Sequence, residues 1–220
     1  MGAHMSTEVH ARDDAVLQAA REVVSREAEA VGAVAHQIDR SFTDLVEAIL
    51  LLRGKVITTG AGTSGIMADR LAHLLAVCGT PAVYLRASDA LHGGIGSMTS
   101  DDLLLAISKG GSGEIVELTQ LVVRRGLTVV AVTENSDSAF ARAASSVVQI
   151  VTRPADADPG ELIAMGSTLS VGAWGDALAA VLMRLRPHSW RDVVDLHPGG
   201  LVGLTHELPE ELPPIEALSL

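Results

Sequence analysis

One cysteine, Cys78, stands in 220 residues, which excludes an intrachain disulfide and a cysteine-rich metal cluster. Aromatic residues make up 2% of the chain, too few for the stacking platforms that hold single-stranded nucleic acids. The 16 basic residues form no long run, and the 27 acidic ones outweigh them to give a formal charge of −11. Neither nucleic acid nor an anionic membrane is therefore the expected partner. Apolar stretches break well before the ~20 residues of a membrane span, and no secretory leader is expected. The expected location is the cytoplasm. Residues 1–5 (MGAHM) read as an expression scar and are set aside.

What is abundant is Ala, Val, Leu and Gly, and a chain that is 48% hydrophobic can bury one full core. Residues 13–52 carry apolar side chains at three- and four-residue spacing, which predicts two helices. Beyond them, short β-branched runs recur at 55–59, 81–85, 103–107, 127–132 and 147–151. Helical spacing separates most of them, at 64–78, 113–125 and 137–144, and a longer helix is expected over 167–186. Strands that are apolar throughout and alternate with helices imply an α/β fold, its parallel sheet covered on both faces. The expected division is a single domain over residues 6–204, N-terminal helices included. An acidic, proline-containing tail, 205–220, should be irregular or docked on a partner.

Two loops are rich in Gly and Ser: GAGTSG (60–65) after the first strand and SKGGSGE (108–114) after the third. In the flavodoxin-like strand order 2-1-3-4-5 these strands are neighbours at the switch point, where ligands bind. A helix N-terminus offers free N–H groups and partial positive charge, and glycines let an anion approach the backbone. Gly62, Thr63 and Ser64 in the first loop, with Ser108, Lys109, Gly111 and Ser112 in the second, form a candidate anion cradle. Ser167 and Thr168, at the start of the 167–186 helix, add a third edge. The alternative is that each serine only caps its helix, worth ~1 kcal/mol. GAGTSG also spells the glycine pattern of a dinucleotide site. That reading asks for an acidic residue at the end of the second strand. Arg86 comes first there and Asp89 lies beyond it, and the second Gly/Ser loop is left without a purpose.

With both loops in place, the chain resembles the sugar isomerase (SIS) domain family from about residue 40 to 204. It is most similar there to the catalytic domain of arabinose-5-phosphate isomerases. The likeness rests on GAGTSG, on ALHGGIGSMTSDDLLLAIS (90–108), on GSTLSVGAWGDALA (166–179) and on HPGGLVG (197–203). The resemblance implies a five-stranded parallel sheet between helices, in homodimers or homotetramers with shared active sites. It implies aldose–ketose isomerisation of a phosphosugar through an enediol, an intramolecular oxidation–reduction that needs neither an organic cofactor nor a metal. His92 and His197 match the histidines that such isomerases place in the active site. Asp156, in RPADADPGEL (153–162), falls near the place of a catalytic-type Glu, with Asp158 and Glu161 as neighbouring acids.

The duller reading of the remaining ionisable groups is packing or solvation: His73 inside a helix, His36 and His188 in flanking segments, His206 in the tail, and Glu114 supporting its own helix dipole. The sequence departs from the family in two places. Thr63 stands where a Lys is typical, and SKGGSGE is one residue shorter than the usual Ser-x-Ser-Gly-Glu-Ser pattern and lacks its Glu. Lys109 restores a positive charge nearby. Longer members continue into paired CBS regulatory domains, which are not expected here. Two alternatives stay open: a sugar-phosphate sensor that binds without turnover, and an isomerase for a sugar with another anion, such as a sulfonate.

Overall fold

The computed structural model describes residues 2–215, with side chains from residue 12 onward. Met1 of the expected scar and residues 216–220 of the expected tail lie outside the described residues. Helices α1 (Gly2–Val34) and α2 (Arg40–Leu50) come first. Asp39 starts α2 by accepting the Ser41 N–H at 2.8 Å, and Phe42, Leu45, Val46 and Ile49 form the buried stripe. The alternation that follows is β1 (Val56–Gly60), α3 (Thr63–Val77), β2 (Ala82–Tyr84), α4 (Ala87–Leu91), β3 (Leu103–Ile107), α5 (Gly113–Arg124), β4 (Thr128–Thr133), α6 (Ala139–Ala143) and β5 (Ser146–Gln149). Helices α7 (Gly166–Leu185) and α8 (Trp190–Asp195) close the order.

All five strands are parallel, as the apolar runs predict, and their order β2-β1-β3-β4-β5 is the expected flavodoxin-like one. Each residue of β3 is buried, because alternate side chains enter two separate cores. Leu103, Leu105 and Ile107 meet α2, α3 and α7, where Trp174, Leu178 and Leu182 lie. Leu104 and Ala106 meet α5 and α6 through Ile115, Leu118 and Phe140. Helices α3 and α5 therefore leave adjacent strands for opposite faces of the sheet and open a crevice between their starts.

Two short helices are absent from the sequence reading. Five-residue α4 has too few positions to show a period. Six-residue α8 does have a legible start: Ser189 and Asp192 form a reciprocal capping box. The described part of the tail has no helix or strand and lies on its own chain. The Arg184 guanidinium donates to the Pro213 carbonyl at 2.7 Å and the Trp190 indole to that of Glu210 at 3.0 Å. Among the described residues no helix is long and apolar enough to cross a membrane.

A buried aspartate locks each end of the sheet. At the amino end, Asp102 is 3% exposed. It accepts from the Lys55 and Thr99 backbone N–H groups, each at 2.8 Å, and from the Lys55 ammonium at 3.0 Å. Burial pushes its carboxyl up, but these bonds reverse the effect and hold it at about 2. At the carboxyl end, Asp158 Oδ1 accepts the Met165 and Ser167 N–H groups at 2.8 and 2.9 Å, taking the place of a cap on α7. Its Oδ2 accepts from the Lys109 ammonium at 2.6 Å.

Because the Asp102 pKa is depressed on folding, its stabilisation is present above the unfolded value near 4 and is lost as pH falls through about 2. Asp102→Asn should therefore lower the unfolding free energy by roughly 2 kcal/mol at pH 7. Urea titrations of both proteins should converge near pH 2. Asp158→Asn removes the α7 anchor and leaves Lys109 with a weaker partner, at an expected cost of roughly 2–3 kcal/mol, since Lys109 keeps some contact with water. Asp156→Asn, two residues away on the surface, should cost less than about 1 kcal/mol. Thermal unfolding of the pair should separate them in that order.

Candidate active site

The β1–α3 turn is shaped by close backbone contact. A Cβ on Gly60 would come within 2.7 Å of the Ser64 carbonyl carbon, and one on Gly65 within 2.7 Å of the Gly60 oxygen. Gly62 takes φ +57° at the α3 N-cap and supplies no capping side chain, so the first N–H groups of α3 face outward. In the β3–α5 loop the Ser108 hydroxyl accepts the Gly111 N–H at 3.1 Å and, at 3.4 Å, that of Ser112. Ser108 is buried, and its hydroxyl shapes the turn from within. Gly111, at φ +79°, packs on Phe140, where a Cβ would come within 2.7 Å of the Phe140 Cβ. Ser112 is the N-cap residue of α5 but makes no capping bond with its side chain. Of the serines read as possible caps, Ser64 and Ser167 instead occupy first-turn positions of α3 and α7.

A cleft of about 90 Å³ opens at the carboxyl ends of β3, β4 and β5. Its polar lining is Thr63 and Ser64 from α3, Lys109, Thr133 and Glu134 from the strand ends, and Ser167 and Thr168 from α7. Ile107, Val132 and Ile150 supply an apolar floor. Ligand-binding cavities commonly measure ~300–1,000 Å³, so this space suits one end of a ligand whose remainder extends outward.

Lys109 crosses the cleft wall between two carboxylates, Asp158 at 2.6 Å and Glu134 at 3.3 Å. Burial works against its charge, yet these bonds prevail and hold the ammonium above its usual range. Burial likewise raises the Asp158 carboxyl, and the bonds from Lys109, Ser167 and Met165 more than reverse that. Glu134 is fixed on both sides: Oε1 accepts the Thr152 N–H at 2.7 Å, and its own N–H donates to the Lys109 carbonyl at 3.1 Å. Sequence reading missed Glu134. The available signal was its place, directly after a buried strand at the end of the sheet where ligands bind.

Of the candidates named from sequence, Thr63, Ser64, Lys109, Ser167 and Thr168 meet in the cleft. The Thr168 hydroxyl also donates to the Ala164 carbonyl at 2.9 Å. His92, His197 and Asp156 do not line it. His92 is exposed where α4 ends. His197 follows α8, with Nδ1 2.6 Å from the Val193 carbonyl oxygen. A carbonyl only accepts, so Nδ1 carries the proton and Nε2 is the basic nitrogen. Asp156 is exposed and pairs with Arg26 of α1 at 3.3 Å. Its neighbour Asp158 does not line the cleft either, but it accepts from Lys109, which does. Gly62, Glu114, Arg86 and Tyr84 border a second depression of about 380 Å³ on the other side of the β1–α3 turn.

Comparison with known proteins bears on the family and the fold. The arabinose 5-phosphate isomerase KdsD of Pseudomonas aeruginosa is 34% identical over 188 residues, which cover 85% of this chain and 57% of that protein. The Escherichia coli K12 KdsD is also 34% identical, over 84% of this chain and 57% of its own length. The chain thus spans somewhat over half the length of these relatives. Among solved structures, an Escherichia coli CFT073 protein in complex with arabinose 5-phosphate superposes with a TM-score of 0.80 at 28% identity, covering 84% of this chain and 98% of that one. The Vibrio vulnificus NanR protein complexed with ManNAc-6P shares the fold at TM-score 0.68 and 22% identity, over 86% and 70% of the two chains. The SIS domain family matches residues 49–181. With the strand order and the switch-point cleft both in place, the chain belongs to the SIS domain family.

Proposed function

We propose that the protein is a phosphosugar aldose–ketose isomerase that works through an enediol. The observation that carries this reading is the meeting of three chain segments, with their hydroxyls and an ammonium, in one cleft at the switch point. The anionic end of the sugar is held by Thr63, Ser64, Ser167 and Thr168 with the free N–H groups at the start of α3. The likeness to two KdsD enzymes and to a structure complexed with arabinose 5-phosphate supports a pentose phosphate as the first substrate to try.

Isomerisation moves one hydrogen between neighbouring carbons and another between their oxygens, so it requires proton donors and acceptors and no organic cofactor. His197, with Nε2 free, and His92 are assigned the transfers at oxygen, including ring opening. Neither lines the cleft of its own chain, so the proposal includes a homodimer or homotetramer in which a second copy brings these histidines to the cleft. Ile66 is 68% exposed, Leu162 89% and Leu201 87%, and apolar side chains this open suit an interface between copies.

Incubation with aldopentose and aldohexose phosphates in deuterated buffer should place solvent deuterium at C1 or C2. Ligand binding, seen by thermal shift, with no deuterium incorporation would mark the protein as a sensor instead. His197→Ala should lower turnover by ~10²–10⁴-fold with an unchanged unfolding transition, and full activity in that variant would remove His197 from the mechanism. Light scattering of the eluted protein should give a multiple of the 22.8 kDa chain, and a monomer that turns over substrate would exclude shared sites.

A further inference from the structure

An enediol mechanism needs a carbon base within reach of the sugar's C1 and C2, from this chain or from the second copy, and this chain offers one candidate at the cleft. Among the described residues, Lys109 and Glu134 are the ionisable side chains that line it. Lys109 is already engaged. Asp158, 1% exposed, accepts from its ammonium at 2.6 Å and satisfies its other oxygen on the α7 backbone. Glu134 Oε2 lies 3.3 Å from the same ammonium, with the side chain 21% exposed. One positive charge thus sits between two negative ones, and Glu134 is the charge in excess. A surplus carboxylate opposes any anionic ligand that enters. Nor does the fold ask for its charge, because the bond from the Thr152 N–H to Oε1 would form as well with a glutamine oxygen.

We propose that Glu134 is the base that carries the hydrogen between C1 and C2, with the Lys109 ammonium steadying the enediolate oxygen. The assignment rests on the isomerase reading above and supplies a carbon base from this chain. The C2–H bond breaks, and its proton passes to Oε2 of Glu134, the oxygen that Lys109 meets at 3.3 Å. The electron pair forms the C1–C2 double bond, and the carbonyl pair moves onto O1 beside Lys109. O1 takes up the proton that O2 releases. As the O2 carbonyl forms, C1 recovers the proton held by Glu134. One hydrogen has moved from C2 to C1 and another from O2 to O1, with nothing outside the sugar oxidised or reduced. Lys109 cannot exchange roles with Glu134, since its ammonium donates to both carboxylates and has no free pair.

The test compares the full chain with Glu134→Gln and Glu134→Asp, beginning with arabinose 5-phosphate and continuing through other aldose phosphates. Glu134→Gln should reduce both kcat and solvent-deuterium incorporation by ~10²-fold or more. KM should stay level or fall, because the surplus negative charge is gone. Glu134→Asp, which keeps a carboxylate one methylene farther back, should recover part of the loss. Exchange by Glu134→Gln within about threefold of the parent would overturn the assignment and leave the isomerase reading standing. If Glu134→Gln does not fold, Glu134→Asp decides: lowered kcat at constant KM supports the base, and parental kcat excludes it. No exchange by the parent protein with any phosphate in the series would overturn the isomerase reading itself, and this assignment with it.

Discussion

The buried carboxylate of Asp158 holds together segments that the chain order keeps far apart. One oxygen receives the first N–H groups of α7, and the other receives the ammonium of Lys109 from the β3–α5 loop. The α7 edge of the cleft, Ser167 and Thr168, keeps its distance from the strand ends through this group. The carboxylate also takes up the positive end of the α7 dipole. The helix field left for an incoming anion therefore comes from α3, whose N-cap residue Gly62 makes no side-chain capping bond and whose Thr63 and Ser64 line the cleft.

This arrangement explains how an acidic protein can be read as a binder of anionic sugars. Net charge of −11 acts at long range and is screened over about 10 Å at ordinary ionic strength. Peptide dipoles and free N–H groups act at contact distance, and they set affinity inside the cleft. Within that short range the surplus negative charge of Glu134 is the anomaly. The proposed proton-transfer role would account for its place, because a group that accepts a proton from carbon has to stand close to the substrate.

The architecture was legible because it follows from local repetition. β-branched runs of about five residues between helical segments predict parallel strands covered on both faces, and the strands formed within one or two residues of the expected bounds. The two Gly/Ser loops were legible as the crevice walls because each follows a strand next to the switch point. Thr63, Ser64, Lys109, Ser167 and Thr168 meet there. The start of α8 was legible in its Ser189–Asp192 pair and went unread.

The rest depended on which way single side chains turn. Asp156 and Asp158 are two residues apart in an irregular loop with no period to tell them apart; one pairs with Arg26 on the surface and the other lies under α7. Ser108 looked like a ligand donor and closes its own turn. Glu134 carried no motif and became visible once Thr152 and Lys109 were brought beside it from other segments. Sequence alone determined the layers and the two Gly/Ser loops beside the switch point, because hydrophobic periodicity and glycine placement act through neighbours along the chain. Tertiary structure alone decided which acid meets which base, because that pairing is set by contacts between residues far apart in the chain, Arg26 with Asp156 and Lys109 with Asp158 among them.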